Sequence, residues 1–310
     1  MRVTGDQFSA RRAPGAWALI LASVLWGTTG TAASFFPPSV SPLAIGACTM
    51  GLGGTLLFVF SARGALAAIR DAASRRWLLV GALGVFVYPL AFYSAMNLAG
   101  VAVGNVVALG TGPVFAALLE WMLERRPLSR FWIGCTALAV VGVALLAATG
   151  GRAADSAGSS RTVVGVALGV VAGFSYALYT YSSSRAIRTG HGSSGVMGGM
   201  FGLGAAGLVP VLIVFGAPLL QSWTTVGIAL YLAIGPMFVA YLLFGIGMRS
   251  LSSSTATTLT LLEPAVATVL AVLVVGERLP PLGWLGLAAI VAAVGLLSTA
   301  RRSPAGSGSP

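Results

Sequence analysis

Glu263 is the residue whose type and setting point most directly to chemistry in this sequence of 310 residues. It stands in LSSSTATTLTLLEPAVATVLAVLVVGERLPP, Leu251 to Pro281. That stretch holds about 20 mostly apolar residues, enough at 1.5 Å per residue to cross a hydrocarbon core about 30 Å thick. From a helix start near Thr255 the carboxyl lies roughly 13 Å along the axis, close to mid-bilayer, and Pro264 follows at once. A charge at that depth costs about 2.5–3.5 kcal/mol, and protonating an ordinary Glu at pH 7 costs ~3.7 kcal/mol, so both charge states stay open. Lipid offers no partner, so the residue is expected to face a cavity or the bundle interior. It would serve there as a proton acceptor or as a contact for a cationic group. The plainer reading is a protonated or solvated carboxyl bonded to backbone that Pro264 frees.

Around it the sequence offers aromatic and neutral polar groups. Trp26, Tyr88, Tyr176, Tyr179 and Tyr241 fall within apolar spans, some away from the headgroup belt where such rings usually collect. Tyr176, Tyr179 and Thr180 share one helical face, a surface suited to stacking on a solute or to packing a bundle interior. Asn105, Thr28, Thr29, Thr31 and Thr257 can supply neutral hydrogen bonds or satisfy helix carbonyls. Pro113 and Pro264 each remove a helix hydrogen bond and are candidate hinges. Glu120, Glu124 and Glu277 stand near helix ends beside arginines, where snorkelling to the interface accounts for them. Gly165, Gly169 and Gly173 form a small-residue stripe for close helix packing.

Two motifs lead nowhere. Gly202, Gly204 and Gly207 fit a dinucleotide fingerprint but lie inside an apolar span with no preceding strand. Gly192-Ser193-Ser194-Gly195 looks like a serine-protease motif, yet the sole histidine, His191, sits in the adjacent loop and is expected to be solvated. No cofactor or metal is expected.

The elements that must position these groups are membrane helices. Charged residues make up 8% of the chain against 57% hydrophobic, far from the quarter that soluble domains carry, so the chain reads as an all-α, multi-pass membrane protein. Cys48 and Cys135 fall inside spans, as small hydrophobes rather than a disulfide. Ten spans are predicted, approximately Ala16 to Phe35, Leu43 to Phe60, Trp77 to Met96, Val101 to Leu123, Phe131 to Ala148, Val163 to Tyr181, Ser194 to Phe215, Thr225 to Met248, Thr255 to Val275 and Leu282 to Thr299. The amino-terminal run is read as an uncleaved first helix rather than a signal peptide.

All 18 basic residues are arginines, and they sit between the spans, which excludes a nucleic-acid partner and sets a topology. With the amino terminus inside, only Arg152, Arg161 and Arg278 fall outside, so both termini are expected in the cytoplasm. The hydrophilic segment Gly150 to Arg161 falls at the midpoint. Sliding one half over the other brings Gly51 onto Gly202, Gly53 onto Gly204, Gly84 onto Gly235 and Pro113 onto Pro264. After a slip of two residues, Glu124-Arg125 with Pro127 meets Glu277-Arg278 with Pro280. Five crossings per half is odd, so the halves run in opposite senses, an arrangement that places a substrate site near the midplane where they meet and suggests alternating access.

Leu262-Glu263-Pro264, Gly276-Glu277-Arg278 and Leu25-Trp26-Gly27 with its counterpart Phe174-Ser175-Tyr176-Ala177 resemble, in order, spacing and duplication, the EamA-type ten-helix branch of the drug/metabolite transporter superfamily. The resemblance covers Trp17 to Thr299. It implies two inverted five-helix repeats around a central cavity: residues 1–149 the first, 150–162 a linker, 163–299 the second and 300–310 a disordered cytoplasmic tail. Where members often carry an Arg soon after a Pro like Pro42, this chain has Ala47, Cys48, Thr49 and Met50, which removes the cation that an anion-binding role there would use.

The expected function is secondary transport across the cytoplasmic membrane, in the export direction, of small neutral, zwitterionic or cationic organic metabolites such as amino acids. Protons are a candidate coupling ion. Efflux of drugs or quaternary cations is the alternative within the fold. From other classes, a membrane-embedded hydrolase lacks convergent catalytic groups, and a transport-dead sensor would use the same scaffold. The chain is thus expected not to be an enzyme, and to be a monomer or weak homodimer. Substrate contacts are expected from Trp26, Tyr88, Asn105, Tyr176, Tyr179, Tyr241 and Glu263.

Overall fold

Backbone groups in a bilayer must be satisfied within their own segment, and the apolar runs of this chain fold accordingly into helices. The structure, a computed structural model, describes residues 12–99, 101–125, 128–149, 160–275 and 280–299. The midpoint segment 150–159, the pair Glu277-Arg278, Arg2, Arg11, Arg126-Pro127, Arg152 and the tail 300–310 lie outside the described residues.

The first half contains α1 (Arg12–Ala33), α2 (Pro42–Phe60), α3 (Ala62–Arg70), α4 (Ala72–Ala99), α5 (Val101–Glu124) and α6 (Arg130–Thr149). The second contains α7 (Ser160–Ile187), α8 (Ser193–Phe215), α9 (Trp223–Met248), the half-helices α10 (Ser253–Leu259) and α11 (Leu262–Leu270), and α12 (Pro281–Thr299). Among the described residues, nine helical segments of 18 residues or more are apolar enough to span a membrane, and α6 supplies a shorter apolar run, Arg130–Leu145. Serines start several helices: Ser41 accepts from Ala44 N–H ahead of Pro42, Ser252 from Thr255, and Ser222 forms a capping box with Thr225.

The stretch from Ser61 to Arg76, left between the second and third predicted spans, is mostly helical. Its Ala65 and Ala68 are buried while Arg63 and Arg70 are exposed, so α3 lies along the protein as a short amphipathic helix against α8. α4 begins at Ala72 rather than Trp77, directly after that helix.

The main helix contacts are between halves. α4 packs on α7 and α9 on α1; α5 packs on α7 and α11 on α1; α2 pairs with α8 and α6 with α12. Exchanging the halves turns this set into itself, as an internal two-fold axis requires. The duplicated glycines mark the same relation at atomic scale. A Cβ on Gly53 would fall 2.6 Å from Met237 Cβ on α9, and one on Gly204 would fall 2.8 Å from Val85 Cβ on α4. The glycines of α2 and α8 are therefore what let these helices approach so closely.

The turns after α2, α5 and α7 and before α8 share one face. Arg185 and Arg188 of α7 reach Glu124 of α5, and His191 reaches Asp71. Exposed Arg63, Arg70, Arg75, Arg76, Arg125 and Arg130 gather there too.

Candidate functional site

Pro264 has no N–H to give to Thr260, and the ninth crossing breaks one turn before it. Leu261 N–H donates to Thr258 O at 3.2 Å and Glu263 N–H to Thr260 O at 3.0 Å, tight turns that part α10 from α11. Glu263 therefore stands in the first turn of a half-helix beginning within the bundle, where the positive end of the helix dipole favours a carboxylate. Pro113, its counterpart, stays inside the continuous helix α5.

Glu263 opens on a small cavity between the halves, with room of about 60 Å³ for the centres of water-sized molecules. Trp26, Tyr88, Tyr176, Tyr179 and Tyr241 line it with Glu263, so six of the seven expected contact residues meet in one place. Asn105 does not join them. It is half-buried on α5, and its Oδ1 is buried without a partner among the described residues.

Glu263 is the one charged side chain in the cavity wall, and among the described residues its carboxyl has no hydrogen-bond donor from the protein. The rings pack tilted or edge on face. Tyr88 lies 5.9 Å from Tyr176 and 5.9 Å from Tyr179 between centroids, and Trp26 lies 5.0 Å from Tyr241. An aromatic wall with one carboxyl attracts a cation both by ring quadrupole and by charge.

Thr29, a candidate for neutral hydrogen bonding, lines it too, and Thr49, Met50, Pro89, Phe92, Tyr93, Leu109, Pro236 and Met237 complete the wall without having been read as contact residues from the sequence. Phe92 was legible: it follows Tyr88 by four residues and so stacks on it, 5.3 Å between centroids. Pro236 was not, because it sits in a π-helical turn, Ala233–Val239, whose extra residue re-aims the wall of α9.

Toward the arginine face the cavity is sealed. Tyr179 and Tyr241 meet hydroxyl to hydroxyl at 2.8 Å, and Tyr176 meets Thr260 at 2.5 Å. Phe201 packs 4.3 Å from Tyr241 beneath them. Below again, α10 presents buried hydroxyls: Thr258 bonds Thr136 at 3.0 Å, and Ser253 donates to Thr180 O at 3.5 Å.

Two acids differ from expectation. Glu120 does not snorkel: it is 6% exposed, and its carboxylate accepts from Ser254 N–H at 3.1 Å and Ser254 Oγ at 2.7 Å. It thereby satisfies the start of α10, the role that a helix cap plays. Glu124 pairs across to α7, with Arg185 at 3.4 Å and Arg188 at 3.1 Å, and has only 7% of its side chain exposed. His191 is not simply solvated either; its Nε2 lies 2.9 Å from Asp71 Oδ2. That contact, with Ala73 N–H, holds the Asp71 carboxyl below its usual range. Cys48 and Cys135 are buried and unpaired.

Thr28 and Thr257 bond helix carbonyls, Leu25 O and Ser253 O, while Thr28 also meets Tyr231 OH at 2.6 Å. Gly165, Gly169 and Gly173 seat α7 against Ala99, Val107 and Thr111. Gly202, Gly204 and Gly207 pack on Phe58, Val85 and Phe86, as a membrane helix and not a nucleotide loop.

The model of the EamA-like transporter family matches residues 13–148 and 163–299. An uncharacterized transporter of Bacillus subtilis (strain 168), YwfM, is 33% identical over 92% of this chain and 93% of its own length. The threonine/homoserine exporter RhtA of Escherichia coli (strain K12) is 30% identical over 89% of this chain and 88% of its own. A solved crystal structure at 22% identity superposes with a TM-score of 0.77 over 93% of this chain and 97% of that one, a likeness of fold.

Proposed function

Because the chain belongs to the EamA-like transporter family, we propose that it exports small solutes bearing an ammonium group, amino acids or related compounds, by alternating access. The observation that carries this reading is that, among the described residues, Glu263 supplies the lone carboxyl of an aromatic cavity with no basic residue in its wall. A phosphorylated or otherwise anionic solute would meet like charge there, whereas an ammonium finds a carboxyl and ring faces. Trp26, Tyr88, Tyr176, Tyr179 and Tyr241 are its proposed contacts, and Pro113 and Pro264 the proposed hinges.

Relatives named as threonine/homoserine exporters support an amino-acid cargo. The arginine face is assigned to the cytoplasm of the plasma membrane by the positive-inside rule, which makes the seal under Tyr176 and Tyr179 the inner one. Protons are the proposed coupling ion, taken up by Glu263 when the ammonium leaves.

The test is counterflow in proteoliposomes preloaded with threonine, homoserine or tetraethylammonium. The reading predicts that radiolabelled amino acid accumulates against an equal internal pool. Exchange of tetraethylammonium alone would move the assignment to quaternary-cation efflux, and exchange of neither would refute it.

A further inference from the structure

The geometry points to a binding groove for one anionic phospholipid of the arginine-side leaflet, between α5 and α6 and away from the central cavity. The groove has a volume of about 640 Å³ and an almost wholly apolar lining, from Val114 to Trp121 on α5 and from Leu128 to Val140 on α6. From Arg130 to Val140 a helix rises about 15 Å, half of a hydrocarbon core about 30 Å thick, so the groove has the length of one leaflet's acyl chain.

Its mouth is basic. Arg125 and Arg130 flank Leu128 in the connection between the two helices, both exposed and with no carboxylate partner among the described residues. Arg125 is held at φ 51°, a left-handed conformation that turns the chain sharply where α5 ends. Two arginines in the connection at one end of a chain-length apolar groove match a phosphodiester above an acyl chain.

The groove also touches the moving parts. Thr136 lines it and bonds Thr258 of α10 at 3.0 Å, so a chain lodged there bears on the half-helix that seals the cavity. A bound lipid is thus positioned to stabilise the sealed arrangement.

The experiment uses the purified full chain in detergent, delipidated, with melting temperature and native mass spectrometry as readouts. Dioleoylphosphatidylglycerol is expected to raise the melting temperature and leave a retained one-lipid adduct. Dioleoylphosphatidylcholine and inorganic phosphate should do neither at the same concentration. Arg125→Gln/Arg130→Gln, two exposed positions, should fold as wild type in lipid-free detergent and lose most of the shift and the adduct. Equal stabilisation by phosphatidylcholine, a full response to free phosphate or an undiminished adduct in the double variant would overturn the proposal. So would a second copy of the chain found by cross-linking at Trp121 in the presence of phosphatidylglycerol.

Discussion

Tyr176 on α7 and Thr260 at the end of α10 are bonded hydroxyl to hydroxyl at 2.5 Å, and this bond closes the cavity floor where the two halves meet. Both groups are buried, so opening toward the arginine face exposes them together. Tyr176→Phe or Thr260→Val removes about 1 kcal/mol of closure, a shift of about fivefold in the open fraction. Thr257→Cys, placed on a variant with Cys48→Ala and Cys135→Ala, reports it. Its labelling by a membrane-impermeant thiol reagent applied from the arginine face should rise by that factor and be unchanged from the other side.

Glu120 and Ser254 supply the second prediction. Glu120→Ala leaves the Ser254 N–H and hydroxyl buried without their acceptor and should cost about 1.5–3 kcal/mol. Glu120→Gln, which keeps one acceptor oxygen, should cost less. Thermal unfolding in detergent gives the order wild type, Gln, Ala; an unchanged Ala variant would remove the capping role.

Gly53 and Gly204 test the two-fold relation. Gly53→Val and Gly204→Val each drive a side chain into the facing helix, against Met237 and Val85, and overpacking of this kind costs about 1–3 kcal/mol. The two losses in melting temperature should be similar. Gly30, with open space around it, should accept Ala with no loss.

Asp71 and His191 give a pH dependence. The Asp71 value is depressed in the folded protein, so its contribution is present above the ordinary carboxylate value of about 3.9 and is lost as pH falls through the lower folded value. Melting temperatures of wild type and Asp71→Asn should differ above that window and converge below it. A difference that persists into strong acid would contradict the pairing.

Much of this was written in the sequence because hydrophobic length, arginine placement and duplicated Gly and Pro are local signals with one physical reading in a bilayer. Glu263 was legible for the same reason: an acid in a run of Leu, Val and Ala has few places to go. The ends of α4 and α7 were less so, since Ala72 and Ile187 carry the helices past the apolar runs into polar, arginine-bearing segments that hydropathy does not mark as helical. Glu120 was misread because its partner, the start of α10, lies more than a hundred residues on and only the fold brings it near. Asn105 was drawn in by its polar side chain; it shares a face of α5 with Leu109, four residues on, but the cavity wall takes in Leu109 and stops short of Asn105.

The central claim is that one carboxyl in an aromatic cavity holds an ammonium, and equilibrium binding tests it most directly. Purified wild type and Glu263→Gln are titrated calorimetrically with threonine and with its analogue in which hydroxyl replaces the amino group. A charge-assisted bond worth about 1.5–3 kcal/mol predicts that wild type prefers the amine by about ten- to 150-fold and that Glu263→Gln erases the preference. Wild type binding both ligands equally, or Glu263→Gln keeping the full preference, would contradict the account.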